Sequence, residues 1–215
     1  MASRNINDLY NEYLYIIRKE RGVFVTPSQF CQNMDIAQME LYEELFKVYG
    51  INQTIHDGLK PFKVTNYQFT CDSGGNVSYQ SDYLHLLAGV FTVTGSSVNK
   101  IRFVEPDELP TALTNQLRAV KLTNPIAIDT SGGFQIYPQS VQTGFYSYMR
   151  RPAIPVLGFI QVGRTLTYDP NSSTQIEFSD AYINNIVNRA LKPLGINLDE
   201  NTVTQYGFTQ EKDTE

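Results

Sequence analysis

Tryptophan is absent from this 215-residue sequence, and histidine and cysteine occur only twice each. Scarce histidine removes the commonest general base and metal ligand. His56 stands beside Asp57-Gly58 in an expected loop and reads as a solvated turn residue, while His85 lies in an apolar stretch and reads as a packed, hydrogen-bonded side chain. No His/Cys/Asp cluster with transition-metal spacing is present in the sequence. Cys31 falls in a helical pattern and Cys71 ends a strand-like run. With no apolar h-region after Met1-Ala2-Ser3-Arg4-Asn5, both are expected to be free, partly buried thiols rather than a disulfide, in a chain kept in a cytoplasm-like compartment.

Other absences narrow the chemistry further. No apolar run approaches the length of a membrane span, so no membrane partner is expected. The net charge of −5 and the lack of clustered Lys and Arg speak against a dedicated nucleic-acid surface. The one basic group, Arg18, Lys19 and Arg21, ends the first helical stretch, where cations complement the helix dipole. There is no G-x-S-x-G nucleophile turn. Neither Gly74-Gly75 nor Gly132-Gly133 is followed by Lys-Ser/Thr, so both read as turns rather than phosphate loops.

Two carboxylate groups, Glu40/Glu43/Glu44 and Glu105/Asp107/Glu108, occupy polar positions of predicted helices and read as solvated faces. Asp169-Pro170-Asn171-Ser172-Ser173 offers oxygen ligands but lacks the calcium-loop pattern, and reads as a turn plus helix N-cap. No catalytic, cofactor-binding or metal-binding residue is assigned, and the chain is not expected to be an enzyme.

What is present is material for packing and contact. Hydrophobic residues make up 41% of the chain and charged residues 18%, a globular balance. The 14 tyrosines and 12 phenylalanines serve interfaces or strand packing equally well.

The periodicity predicts α+β. Asn5 to Arg21 carries Ile6, Leu9, Tyr10, Tyr13, Leu14 and Ile17 on one stripe, with Gly22 as the stop. Thr26-Pro27-Ser28-Gln29 is an N-cap, first-turn proline and capping-box glutamine for a helix running to about Val48, with Phe30, Met34, Ala37, Leu41 and Leu45 on its buried face and Gly50 ending it. Val64, Tyr67 and Phe69 suggest extended chain, and Asp72 to Asn76 a turn. Strands are expected over Leu84 to Thr94, Lys100 to Val104, Pro125 to Ile128, Gly133 to Tyr137, Thr143 to Met149 and Val156 to Val162, with turns at Gly95-Ser96-Ser97, Asp129 to Gly133 and Pro138-Gln139-Ser140.

A short helix is expected near 106–118, opened by Glu105-Pro106-Asp107-Glu108-Leu109. A last helix is expected after Asn171-Ser172-Ser173, closed by Pro193 and Gly195, with a short helix over Asp199 to Phe208 and a polar tail from Gln210. The division expected is a helical hairpin over 1–50 packing on the rest of the same domain, a mainly β region over 51–170, and the C-terminal helix and tail over 171–215.

Three stretches, taken in order, resemble virion structural proteins of crAss-like bacteriophages, the short-tailed phages of gut Bacteroidales. They are Val25 to Phe30 with Ala37-Gln38 ("TPxQF"), Tyr146 to Pro155 ("YxxxPxxP"), and Tyr168-Asp169 through Ser172-Ser173 and Glu177-Phe178 to Asn184-Asn185-Ile186-Val187 ("SSxxxE", then "LxxxGI"). The resemblance implies a non-catalytic particle protein in the neck between portal and tail. Its expected partners are copies of itself in a twelve-fold ring, the portal and other neck or tail proteins, and passing DNA bound without sequence specificity. The location it implies is the virion, after synthesis in the host bacterial cytoplasm.

In such a ring, Arg150-Arg151-Pro152 to Pro155 would be a rigid, extended connector, since each proline biases the residue before it away from helix. Arg150, Arg151, Pro152 and Pro155 are its candidate subunit contacts; a surface loop with two solvated arginines describes the same residues. Other readings are a tail hub part, a capsid accessory or ejected cargo protein, and a small hydrolase built on Glu105, Asp107 and Glu108.

Overall fold

The computed structural model describes residues 4–21, 24–50, 53–87 and 89–195. The expected stop at Gly22, the short helix over Asp199–Phe208 and the tail from Gln210 lie outside them. In chain order the elements are helices α1 (Ile6–Arg21), α2 (Pro27–Lys47) and α3 (Gln53–Leu59), strands β1 (Lys63–Thr70), β2 (Asn76–Ser78), β3 (Tyr83–Leu86), β4 (Phe91–Thr94), β5 (Ser97–Lys100) and β6 (Arg102–Phe103), helix α4 (Leu109–Thr114), strands β7 (Ile126–Thr130), β8 (Gly133–Tyr137), β9 (Thr143–Arg150), β10 (Phe159–Val162) and β11 (Thr165–Tyr168), and helix α5 (Asp180–Leu191). The protein is α+β, with almost all strand pairs antiparallel.

The chain forms two compact units, one from Met1–Pro61 with Pro152–Glu215 and one from Phe62–Arg151. This differs from the three-part division expected above. The hairpin β10–β11 belongs to the helical unit, and the first two helices find their partner in α5, at the far end of the described chain.

In the helical unit, all six residues of the α1 stripe, from Ile6 to Ile17, are buried. Burying a large apolar side chain contributes roughly 1.5–3 kcal/mol, while ordinary residues differ in helix propensity by at most about 0.7 kcal/mol, so packing holds this Asn- and Tyr-containing helix together. Phe30 of α2 stands between Tyr10 and Tyr13, with ring centroids 5.2 Å from each. The capping box forms as expected: the Gln29 N–H donates to Thr26 Oγ1 at 3.3 Å and the Thr26 N–H donates to Gln29 Oε1 at 3.0 Å. The buried face of α2 includes Gln38 and Tyr42, whereas Leu45 is only half-buried.

Two expectations need correction here. His56 does not sit in a loop: it lies on α3, with its ring 4.0 Å from that of Tyr49. Gly58 looked like a turn residue but is helical, and a Cβ there would collide with the Tyr182 hydroxyl. The last helix begins at Asp180, with Ser179 before it, and not after Ser173. Local bonds hold the intervening segment open. Asp169 accepts from the Asn171 N–H at 3.0 Å, Ser173 Oγ donates to the Asp169 carbonyl at 2.7 Å, and Thr174 pairs with Val156. Such side-chain bonds satisfy backbone groups that a helix would otherwise use. Ile176 is buried, but outside the helix.

The β unit is built on β9, which pairs with β1 along one edge and with β4 and then β3 along the other. The single strand expected over Leu84–Thr94 is therefore two strands laid end to end on β9 and interrupted between them. A second sheet runs β2-β8-β7-β6. The two sheets share one core, in which Phe134 of β8 meets Phe69 of β1 and Tyr146 of β9 edge-on, at 5.5 and 5.9 Å. Gly144 lets this core close, since a Cβ there would overlap the Phe91 carbonyl and the Phe69 ring. The two-residue turns Gly95-Ser96 and Ser131-Gly132 close the hairpins β4–β5 and β7–β8.

Candidate functional site

The segment singled out as a subunit contact is where the chain passes from the β unit back to the helical unit. Arg150 ends β9, and its guanidinium carbon lies 5.6 Å from the centre of the Phe62 ring, a cation–π distance. Its Nη1 also donates to the Arg151 carbonyl at 3.4 Å, and the Arg151 N–H donates to the Asp82 carbonyl at 2.7 Å.

Pro152 and Pro155 are buried. Between them, the Ala153 N–H donates to Glu177 Oε2 at 2.8 Å, and the Ala153 carbonyl accepts from Gln38 Nε2 at 2.9 Å. The stretch between the prolines is neither helix nor strand; its prolines face inward, and Ile154 is exposed at 53%. The Gln38 and Glu177 bonds to Ala153 hold the stretch between the two prolines against the helical unit.

The carboxylates separate by setting. Glu40 and Glu44 are exposed on α2, and Glu44 pairs with Arg189 of α5. Glu105, Asp107 and Glu108 are exposed ahead of α4, a helix of Leu109–Thr114 with Pro110 in its first turn, shorter than expected. Glu105 and Glu108 line the rim of a groove of about 520 Å³. Its other walls come from residues that share no motif and lie far apart in the chain.

Tyr79 and Tyr83 stack nearly parallel, 4° apart in plane and 3.8 Å between ring centres, and Phe103 of edge strand β6 continues the aromatic floor. The Tyr79 hydroxyl donates to Asp129 Oδ1 at 3.1 Å. Burial, then the neighbouring Tyr83 and Asp129, push the Tyr79 hydroxyl far above its ordinary value, so it remains a neutral donor. Desolvation also raises Tyr83. Aromatic rings beside exposed carboxylates make a surface suited to a cation.

The remaining candidates are structural. Cys31 and Cys71 are free and half-buried, as expected, and burial raises both thiols. His85 is half-buried on β3 opposite Met149. Gly75, in the turn before β2, and Gly133, the first residue of β8, sit at close backbone approaches in the β2–β8 region. Among the described residues no group of three or more metal-capable side chains occurs, and no helix is long and apolar enough to cross a membrane.

Exposed apolar side chains occur on both units. Leu117 is 98% exposed in the loop after α4, Val98 is 56% exposed on the β4–β5 hairpin, and Phe159 and Ile160 are exposed on β10. Tyr15 is 69% exposed on α1. No protein-family model matches the chain, and no curated protein matches it.

Proposed function

We propose that the chain is a structural component of a tailed-phage virion, a ring-forming head-to-tail connector between portal and tail that forms part of the DNA exit channel. The phage assignment follows the ordered motifs around Thr26-Pro27, Tyr148 to Pro155 and Ser172 to Glu177. The structural observation that carries the connector reading is the placement of exposed apolar side chains. Val98, Ile160 and Tyr15 lie on three different elements and Leu117 on the loop after α4, so they do not share one pocket.

A closed ring needs two unlike side surfaces on each subunit, together with contacts above and below. Exposed apolar side chains on several parts of the chain are compatible with that requirement. The net charge of −5 suits a wall past which DNA moves without being held.

Native mass spectrometry of the purified chain, with electron microscopy of particles, tests the reading. A closed oligomer and density for this fold in the neck are expected. A chain that stays monomeric and is missing from virions overturns it.

A further inference from the structure

We propose that the aromatic–acidic groove of the β unit is a socket that takes the Tyr15/Arg18/Lys19 face of helix α1 from a second copy of the chain. The inference rests on the ring reading above and names the pair of surfaces that would join neighbours.

The socket has a floor of Tyr79, Tyr83 and Phe103 and a rim of Glu105, Glu108 and Asp129. All three rim residues are exposed, and none has an ion-pair partner among the described residues. The floor is aromatic, and the exposed carboxylates that line the same groove add full negative charges beside it. A guanidinium or ammonium ion satisfies both features at once, and a further aromatic ring can pack against the floor.

Helix α1 carries that combination. Tyr15, Arg18 and Lys19 are spaced i, i+3 and i+4, so they share one face of the helix, and all three are exposed. They line one shallow depression together with Asn11 and Leu14. Neither Arg18 nor Lys19 has an ion-pair partner among the described residues. An aromatic with two cations therefore stands on one helix, and aromatics with three carboxylates line a groove drawn from several strands and loops. Knob and socket are unlike surfaces, as a head-to-tail contact requires, so every copy can give one and receive one. Opposite charges at such a contact set partner choice and register more than raw affinity, because like-charge juxtaposition strongly disfavours wrong pairings.

Charge reversal tests the pairing in the full chain. The socket variant is Glu105→Lys/Glu108→Lys and the knob variant is Arg18→Glu/Lys19→Glu; circular dichroism first establishes that each is folded. Sedimentation velocity and native mass spectrometry should show the wild type assembling and each variant alone losing roughly tenfold or more in association. A one-to-one mixture should regain assembly with the two variants alternating, since each reversed surface then meets its opposite.

A milder pair, Glu108→Gln and Lys19→Gln, keeps side-chain size and should weaken association several-fold even if a reversed variant fails to fold. If the wild type assembles and the variants assemble equally well, or if two dissociated variants fail to restore each other, the socket is overturned while the ring reading stands. If the wild type never associates and is missing from virions, the ring reading itself falls.

Discussion

The Tyr13 hydroxyl of α1 donates to the Ala190 carbonyl of α5 at 2.9 Å, joining helices that lie 177 positions apart in the sequence. The same oxygen accepts from Asn33 Nδ2 of α2 at 3.0 Å, so one buried atom ties three helices. Removing it leaves a buried carbonyl without its donor, the costly half of hydrogen-bond loss. Tyr13→Phe should therefore destabilise the protein by about 1–3 kcal/mol, read as a lower urea midpoint with an unchanged slope.

Helix α2 depends on its first turn. Thr26→Ala removes the oxygen that receives the Gln29 N–H. The expected loss is about 1 kcal/mol, and Thr26→Ser should recover most of it. Chemical denaturation of both variants checks the order.

Gly144 marks the tightest point of the β unit, pressed by Phe91 on one strand and Phe69 on another. Gly144→Ala forces a methyl group into backbone that cannot move far while β9 is paired on both edges. A destabilisation of at least about 1–3 kcal/mol is expected. Gly132→Ala, in a turn where a Cβ meets nothing, should change little by comparison. Thermal unfolding of the two variants side by side makes the test.

Burial, reinforced by Asp72, pushes the Cys71 thiol from an ordinary 9.0 to about 11. Folding thus holds the thiol neutral, and the unfolded chain loses that proton first. The stability linked to Cys71 is complete below pH 9.0 and disappears as pH rises through about 11. At pH 8, iodoacetamide should modify Cys71 far more slowly in the folded protein than in urea, because the thiolate is the nucleophile. Equal rates in the two conditions would refute this.

Helices with a strong local signal were legible in the sequence. The α1 stripe and the Thr26 capping box are local devices, and both appear as read. The start of α5 was misplaced because Asn171-Ser172-Ser173 carries cap-type residues whose hydroxyl and amide groups bond within their own turn.

For strand β11 the local signal is Gly163-Arg164, with Gly163 at φ 65°, a hairpin turn between two alternating runs. That signal was available. The groove was not: Glu105 and Glu108 stood out as carboxylates, but Tyr79, Phe103 and Asp129 join them only through pairing of β6 with β7 and the hydroxyl bond to Asp129. The inward turn of Pro152 and Pro155 likewise depends on Gln38 and Glu177, partners remote in sequence.

The β unit interrupts the helical one, and the interruption begins and ends on neighbouring strands, with Lys63 of β1 opposite Met149 of β9. During synthesis the ribosome releases α1 and α2 first, with apolar faces that α5 will later cover. Before α5 emerges, the whole β unit has left the tunnel and can fold from contiguous chain. The amino-terminal helices must therefore wait, partly bare, until the last described helix arrives. A holding chaperone would act on this protein in that interval, and the β unit would be the first part to become resistant to protease.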